Sequence, residues 1–115
     1  MLVIRKEQMR VLNEYARNNF EKRAVDYVAR EHPEQFAEMA ESYTRTLVRF
    51  GIGKASKYDI HAEDDILRFI GLMVTIDPGF DDLDEMAWAR EILDEEAFDG
   101  SEKMELIYEQ MGDKP

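Results

Sequence analysis

Apolar residues recur along the first thirty residues at the three- and four-residue spacing of a helix face. From this spacing we predict a long helix over residues 5–31, or two helices sharing a slight bend, with Leu2–Val3–Ile4 as a short lead-in on the core. The helix should end before Pro33, because the residue before a proline avoids helical backbone angles. Its apolar face consists of Met9, Leu12, Ala16, Phe20, Ala24, Tyr27 and Val28.

The same spacing continues over residues 33–50, which open with a proline, a residue that suits the first turn of a helix. We predict a second helix there that continues through Gly51 and Gly53 to about Lys57, since small residues permit close helix approach. The alternative is a stop at Gly51 with a left-handed cap. The predicted inward face consists of Phe36, Met39, Ala40, Tyr43, Leu47 and Phe50.

Residues 61–77 have little polar surface after their first turn. A helix that is apolar nearly all round is buried, so we predict that this one forms the centre of the core. His61 is its expected N-cap. Three acidic residues, 63–65, follow in the first turn, where the helix dipole favours negative charge.

Two shorter helices are predicted after the turn at residues 77–79. One covers residues 84–98, with Asp82 or Asp84 accepting hydrogen bonds from its first amides. The other covers residues 102–111 and has Ser101 as its N-cap.

No period-two pattern typical of strands is sustained anywhere in the 115 residues. With 44% apolar and 36% charged residues, the chain has the composition of a soluble globular protein. We therefore expect an all-α fold: one domain over residues 1–115, a compact bundle of about five helices around the buried helix 61–77. No apolar run approaches the ~20 residues of a membrane span, and no signal peptide is expected.

Charge is divided unevenly along the chain, whose formal net charge is −11. Residues 1–60 contain eleven Lys and Arg against nine Asp and Glu, whereas residues 61–115 contain four against seventeen. The second half therefore favours a basic protein partner and disfavours nucleic acid and anionic lipid. A solvated acidic surface that binds nothing is an equally weighted alternative.

The densest acidic stretch packs five carboxylates into residues 77–85 and reaches Trp88 three residues later. An EF-hand loop needs glycine at position 6 and glutamate at position 12, and neither Asp77 nor Asp81 as first position provides them. We interpret the stretch first as a helix entrance and second as part of a docking surface, with calcium binding by residues 77–85 as a further alternative. The predicted partner-binding residues are Phe80, Asp81, Asp82, Asp84, Glu85, Trp88, Glu91, Asp94 and Glu95.

The residue types argue against an enzyme. Cysteine is absent, so thiol nucleophiles and thiolate metal sites are excluded, and His32 and His61 both lie at predicted helix boundaries. The serines lack the strand–turn–helix setting of a nucleophile elbow. We predict no catalytic residue, no cofactor and no resident metal.

Five stretches of the chain occur in the same order in one known family: "IRKEQM" (4–9), "FGIGKASKYDI" (50–60), "DILRFIGLMV" (65–74), "PGFDD" (78–82) and "WAREIL" (88–93). In them the chain resembles small uncharacterised bacterial proteins whose genes usually lie beside those of type VI secretion spikes and their toxin cargo. It departs from that family in "LDEMAWA" (83–89), where a proline is expected just before the tryptophan.

The resemblance implies a setting in bacterial secretion but no mechanism. Together with the charge distribution, it leads us to expect a cytoplasmic, non-enzymatic accessory protein, an adaptor or chaperone that binds a basic effector or spike component. The alternatives are an immunity protein that neutralises a cognate toxin and a calcium-dependent interaction module. Self-association is left open.

Overall fold

The computed structural model describes residues 6–112, with side chains from residue 16 onward. This range contains five α-helices and no strand, which confirms the predicted all-α fold. The helices are α1 (Lys6–Glu31), α2 (Pro33–Lys57), α3 (Glu63–Thr75), α4 (Ala87–Asp94) and α5 (Gly100–Gln110), with 3-10 turns at Phe80–Asp82 and Asp84–Met86. The predicted lead-in at Leu2–Val3–Ile4 lies outside the described residues.

α1 and α2 pack side by side and are joined through His32. The predicted apolar face of α1 is buried at Phe20, Ala24 and Val28 and half-buried at Tyr27, whereas Ala16 is exposed. The side chains of Met9 and Leu12 lie outside the described part of the chain.

α2 continues through its glycines to Lys57, as predicted, because Gly51 packs directly on α3. A Cβ atom at Gly51 would lie 2.8 Å from Ile70 Cγ1, so a larger residue there would push the two helices apart. α2 is also kinked at Ala40, whose φ of 65° and ψ of 158° lie where non-glycine residues are strained.

The structure overturns part of the predicted inward face of α2. In the regular part of the helix after Ala40, the buried face follows Thr44, Val48, Gly51 and Ala55, about one position round the helix from the predicted stripe, which shares only Leu47 with it. Ala40, Tyr43 and Phe50 are all exposed, Tyr43 by 49% and Phe50 by 53%. The buried residues of α2 are Thr44, Leu47, Val48, Gly51 and Ala55.

α3 is the central element, because it packs against α1, α2 and α5. It begins at Glu63, two residues later than predicted, and its N-cap is Ala62. The predicted capping by His61 is wrong: this side chain lies outside the helix, with its Nε2 3.7 Å from the Asp59 carboxylate. The core residues of α3 are Ile66, Phe69, Ile70, Leu72 and Met73.

The two C-terminal helices begin differently from the prediction. α5 is capped by Asp99, which accepts a hydrogen bond from the Glu102 amide in a capping box. Ser101 instead donates to the buried Asp65 carboxylate, at 2.5 Å, and so ties α5 to α3. α4 covers only residues 87–94 of the predicted 84–98, and neither Asp82 nor Asp84 caps it.

Candidate functional site

The acidic stretch folds as a tight turn because Asp77 organises its own backbone. Its carboxylate accepts a hydrogen bond from the Gly79 amide at 2.8 Å, and its carbonyl accepts one from the Phe80 amide at 2.9 Å. The turn directs Phe80 into the core, where the ring is fully buried, 5.1 Å from the ring of Phe69. This ring anchors the acidic stretch to the core helix α3.

Asp81, the next residue, is also buried and is held by two side chains from the C-terminal end of α2. One carboxylate oxygen pairs with the Lys54 ammonium, and the other accepts a hydrogen bond of 2.6 Å from the Tyr58 hydroxyl. Lys54 also donates to the Pro78 carbonyl at 3.4 Å. Asp81 is only 3% exposed, so these contacts replace the water that the carboxylate loses.

The network fixes the protonation state of both acidic groups. Burial alone would raise the pKa of the Asp81 carboxyl, but the hydrogen bonds from Lys54 and Tyr58 and the charge of Lys54 outweigh burial and hold this pKa below its usual range. Burial and the hydrogen bond to Asp81 raise the pKa of the Tyr58 phenol well above its usual value. At neutral pH the pair is a carboxylate and a phenol, so Tyr58 is not an activated nucleophile or base.

A polar cleft of about 510 Å³ lies beside this network, between the end of α2, the acidic turn, α4 and α5. Arg90 of α4 contacts Asp82 and Asp94, each at 3.0 Å, and its guanidinium lies 5.7 Å from the centre of the Tyr58 ring. Lys103 of α5 is buried and donates to the Tyr58 carbonyl at 2.7 Å. These contacts hold α4 and α5 against the end of α2.

Beside the cleft, and sharing Asp82 and Asp94 with its lining, α4 and the turns before and after it form a surface that we call the acidic α4 face. It consists of six exposed carboxylates: Asp82, Asp84, Glu85, Glu91, Asp94 and Glu95. Arg90 compensates Asp82 and Asp94. The other four carboxylates form no ion pair with any described residue, so this face is strongly negative. Trp88 lies half-buried on α4, packed against the core.

Two of the nine predicted partner-binding residues do not belong to this surface. Phe80 is part of the core. The two carboxylate oxygens of Asp81 are bound by Lys54 and Tyr58. Neither is accessible to a partner in this conformation, so including them in a docking surface was wrong. The other seven lie on α4 or in the turns beside it; the six carboxylates are exposed and Trp88 is half-buried.

Sequence reasoning missed two kinds of residue. Lys54 and Tyr58 lie four residues apart on one side of α2, but nothing in that spacing indicates Asp81 as their shared partner. The apolar spacing predicts Tyr43 and Phe50 as core residues, although their seven-residue separation also fits a second, outward-facing stripe of the same helix. That second stripe was the available signal.

The structure bears on the calcium alternative as well. Among the residues it describes, no group of three or more His, Asp or Glu side chains is placed to hold a metal ion. Three of the carboxylates in 77–85 are already engaged: Asp77 with a backbone amide, Asp81 with Lys54, and Asp82 with Arg90. The acidic turn is therefore a poor set of calcium ligands.

The chain matches no family model, and no curated protein or solved structure was found to be similar to it. Within residues 6–112, none of the helices has the length and apolar character required to cross a membrane.

Proposed function

We propose that this chain is a non-enzymatic, partner-binding accessory protein that docks a basic protein partner on the acidic α4 face. The observation that carries the proposal is the set of four exposed, uncompensated carboxylates beside Trp88. A face of one charge sign speeds the encounter with a partner of opposite charge and sets its orientation. The exposed part of the Trp88 ring is the apolar anchor within that charged rim.

The biological setting is part of the proposal and is supported by the sequence resemblance alone. In that setting the partner is a basic effector or spike component of a bacterial secretion system, met in the cytoplasm before export. An adaptor or chaperone binds such cargo and leaves it active. An immunity protein uses the same kind of surface to abolish the activity of a toxin.

The test compares two fourfold variants that remove the same charge from different surfaces. The first neutralises the acidic α4 face with Asp84→Asn, Glu85→Gln, Glu91→Gln and Glu95→Gln. The matched control neutralises four exposed carboxylates of other helices with Asp26→Asn, Glu34→Gln, Glu105→Gln and Glu109→Gln. None of these eight groups forms an ion pair with a described residue, so both variants should fold like the wild type.

The partner is first captured with the tagged wild-type chain from the native bacterium at low salt, and then purified for kinetics. We expect the α4 variant to associate about tenfold more slowly and with a flatter salt dependence, while the control stays within about twofold of the wild type. Equal effects of the two variants would show that the partner responds to the total charge of the protein and not to the acidic α4 face. An assay of the captured protein's own activity then separates an adaptor, which leaves it active, from an immunity protein.

A further inference from the structure

α2 exposes a second stripe of residues that is not part of the core, although the Phe50 ring lies 5.3 Å from the Lys54 ammonium of the same helix. Tyr43, Thr46, Phe50, Gly53 and Lys57 follow one another at spacings of three and four, the a/d spacing of a coiled-coil seam, and all five are exposed. They lie in the regular part of α2, after the kink at Ala40. In a chain with 36% charged residues, this stripe has a single charged member and two large aromatic ones.

We call this stripe of five residues the seam. Contacts on either side of the seam show that it faces solvent. On one flank, Arg49 reaches across to Glu21 of α1 at 3.0 Å. On the other flank, Lys54 contacts Pro78 and Asp81 of the acidic turn. Between these flanks the surface is open, and a Cβ atom added to Gly53 would have no neighbour within 4 Å. A second helix therefore has room to lie along the seam.

We propose that the seam pairs with the same seam of a second copy of this chain, in an antiparallel arrangement with two-fold symmetry. Such an interface is isologous, so a contact from Tyr43 of one copy to Phe50 of the other occurs twice. This pairing places the symmetry axis beside Thr46, and the small residues Thr46 and Gly53 leave space for the aromatic rings of the facing helix. The proposal uses no residue of the acidic α4 face and stands apart from the proposed function.

The charge pattern along α2 selects the antiparallel direction. The helix begins with exposed Glu34 and Glu38 and ends with exposed Lys57. A parallel pair would bring the two Lys57 ammonium groups together, whereas an antiparallel pair directs each towards the acidic end of the other helix. The opposed helix dipoles favour the same direction.

Size and net charge determine how strong the pair is. The regular part of α2 after Ala40 is 17 residues, or about 25 Å, long. With the symmetry axis beside Thr46, only residues 41–52 of the two regular parts face each other, an overlap of about 18 Å. Such a pair buries less than the ~800 Å² per partner of a standard stable interface, so we expect a reversible dimer. Because each copy carries a net charge of −11, screening by salt should strengthen the dimer, the opposite of docking on the acidic α4 face.

Sedimentation equilibrium of the full chain over a range of concentrations tests the proposal. We expect Phe50→Gln to raise the dimer dissociation constant about 100-fold, roughly tenfold for each of the two symmetry-related rings. Met111→Gln is the matched control, because Met111 is also an exposed apolar residue, 39% accessible, but lies on another helix end. Circular dichroism checks that both variants keep their helices. The proposal is overturned if the wild-type chain stays monomeric, or if Phe50→Gln leaves the dimer dissociation constant unchanged.

The absence of cysteine makes the orientation testable by disulfide trapping. In the antiparallel pair two copies of residue 46 lie side by side near the axis, whereas two copies of residue 57 lie about 30 Å apart along the helices. Thr46→Cys should therefore cross-link under mild oxidation and Lys57→Cys should not. Cross-linking of Lys57→Cys as readily as Thr46→Cys would overturn the antiparallel pair. If the fourfold α4 variant lost the dimer, the interface would lie on the acidic face instead.

Discussion

Asp81 and Asp82 are adjacent in the same acidic turn and have opposite surroundings. Asp81 is 3% exposed and pairs with Lys54 and Tyr58 at the C-terminal end of α2, whereas the Asp82 side chain is 73% exposed and forms an ion pair with the partly exposed Arg90. In a 3-10 turn successive side chains point in different directions, so one carboxylate faces the core and the next faces water. The turn therefore contributes to two regions, a buried network and the acidic α4 face.

The difference shows that an acidic cluster in sequence is not one functional unit. A buried ion pair is costly to break, since removal of one partner leaves an uncompensated charge in a poorly hydrated site. An exposed pair contributes little, because water and salt screen it. The carboxylates with the strongest contacts in the structure are consequently the least suited to binding, and the weakly held ones remain available to a partner.

The largest expected effect separates these two aspartates directly. Asp81→Ala should lower the free energy of unfolding by about 3 kcal/mol, because Lys54 and Tyr58 both lose their partner. Asp82→Ala should change it by no more than about 0.5 kcal/mol. Urea titrations followed by circular dichroism measure both. Similar losses for the two variants would show that the Asp81 network is not a stabilising one.

The pH dependence of stability sharpens the same contrast. The folded pKa of Asp81 is lowered below the usual value of 3.8, so its stabilising contribution is complete above about pH 4 and is lost as the pH falls through the folded pKa. The difference in stability between the wild type and Asp81→Asn should therefore be full near about pH 6 and should shrink as the pH falls below about 4.

The pKa of Glu63 is also lowered, by its hydrogen bond to Arg23, so Glu63 likewise contributes to the loss of stability in acid. Because it is present in both proteins, its contribution cancels in their difference. The pH series uses thermal unfolding of both proteins in matched salt. A gap that stays constant from neutral to acid pH would mean that the charge of Asp81 does not contribute.

Much of the fold could be predicted from apolar spacing, because burial of one helix face is what the spacing encodes. The centre of the core, α3, followed from a run of apolar residues around Phe69, and the end of α2 at Lys57 followed from the small size of Gly51. The kink at Ala40 could not be predicted, since alanine is the strongest helix former and nothing beside it marks a break. Tyr43 and Phe50 lie after the kink, and their predicted placement was wrong for a different reason: the buried face of this part of α2 follows Thr44, Val48 and Gly51 instead.

The candidate site was predictable only in outline. Composition located the acidic α4 face, because local charge density is visible in sequence. The partners of Asp81 lie 27 and 23 residues away on α2, and such tertiary pairing leaves no local signal. The N-cap of α5 could not be predicted for a related reason. Asp99 and Ser101 are both good N-cap residues, and the tertiary contact of Ser101 with Asp65 decides between them.

A much smaller effect on stability than that of Asp81→Ala is expected from Arg90, the residue that touches both regions. Arg90→Gln removes two exposed ion pairs, with Asp82 and Asp94, and should lower the free energy of unfolding by less than about 1 kcal/mol, less still in high salt. It also frees both carboxylates, so the acidic α4 face becomes more negative.

Association with the basic partner should therefore become faster in Arg90→Gln although the protein is slightly less stable. Arg45→Gln is the control, because it makes the same change in net charge and removes one exposed ion pair, with Glu41, on α2. An equal gain in association rate for both variants would show that the partner senses only the total charge. A gain confined to Arg90→Gln would locate the encounter on α4, since local charge then matters more than net charge.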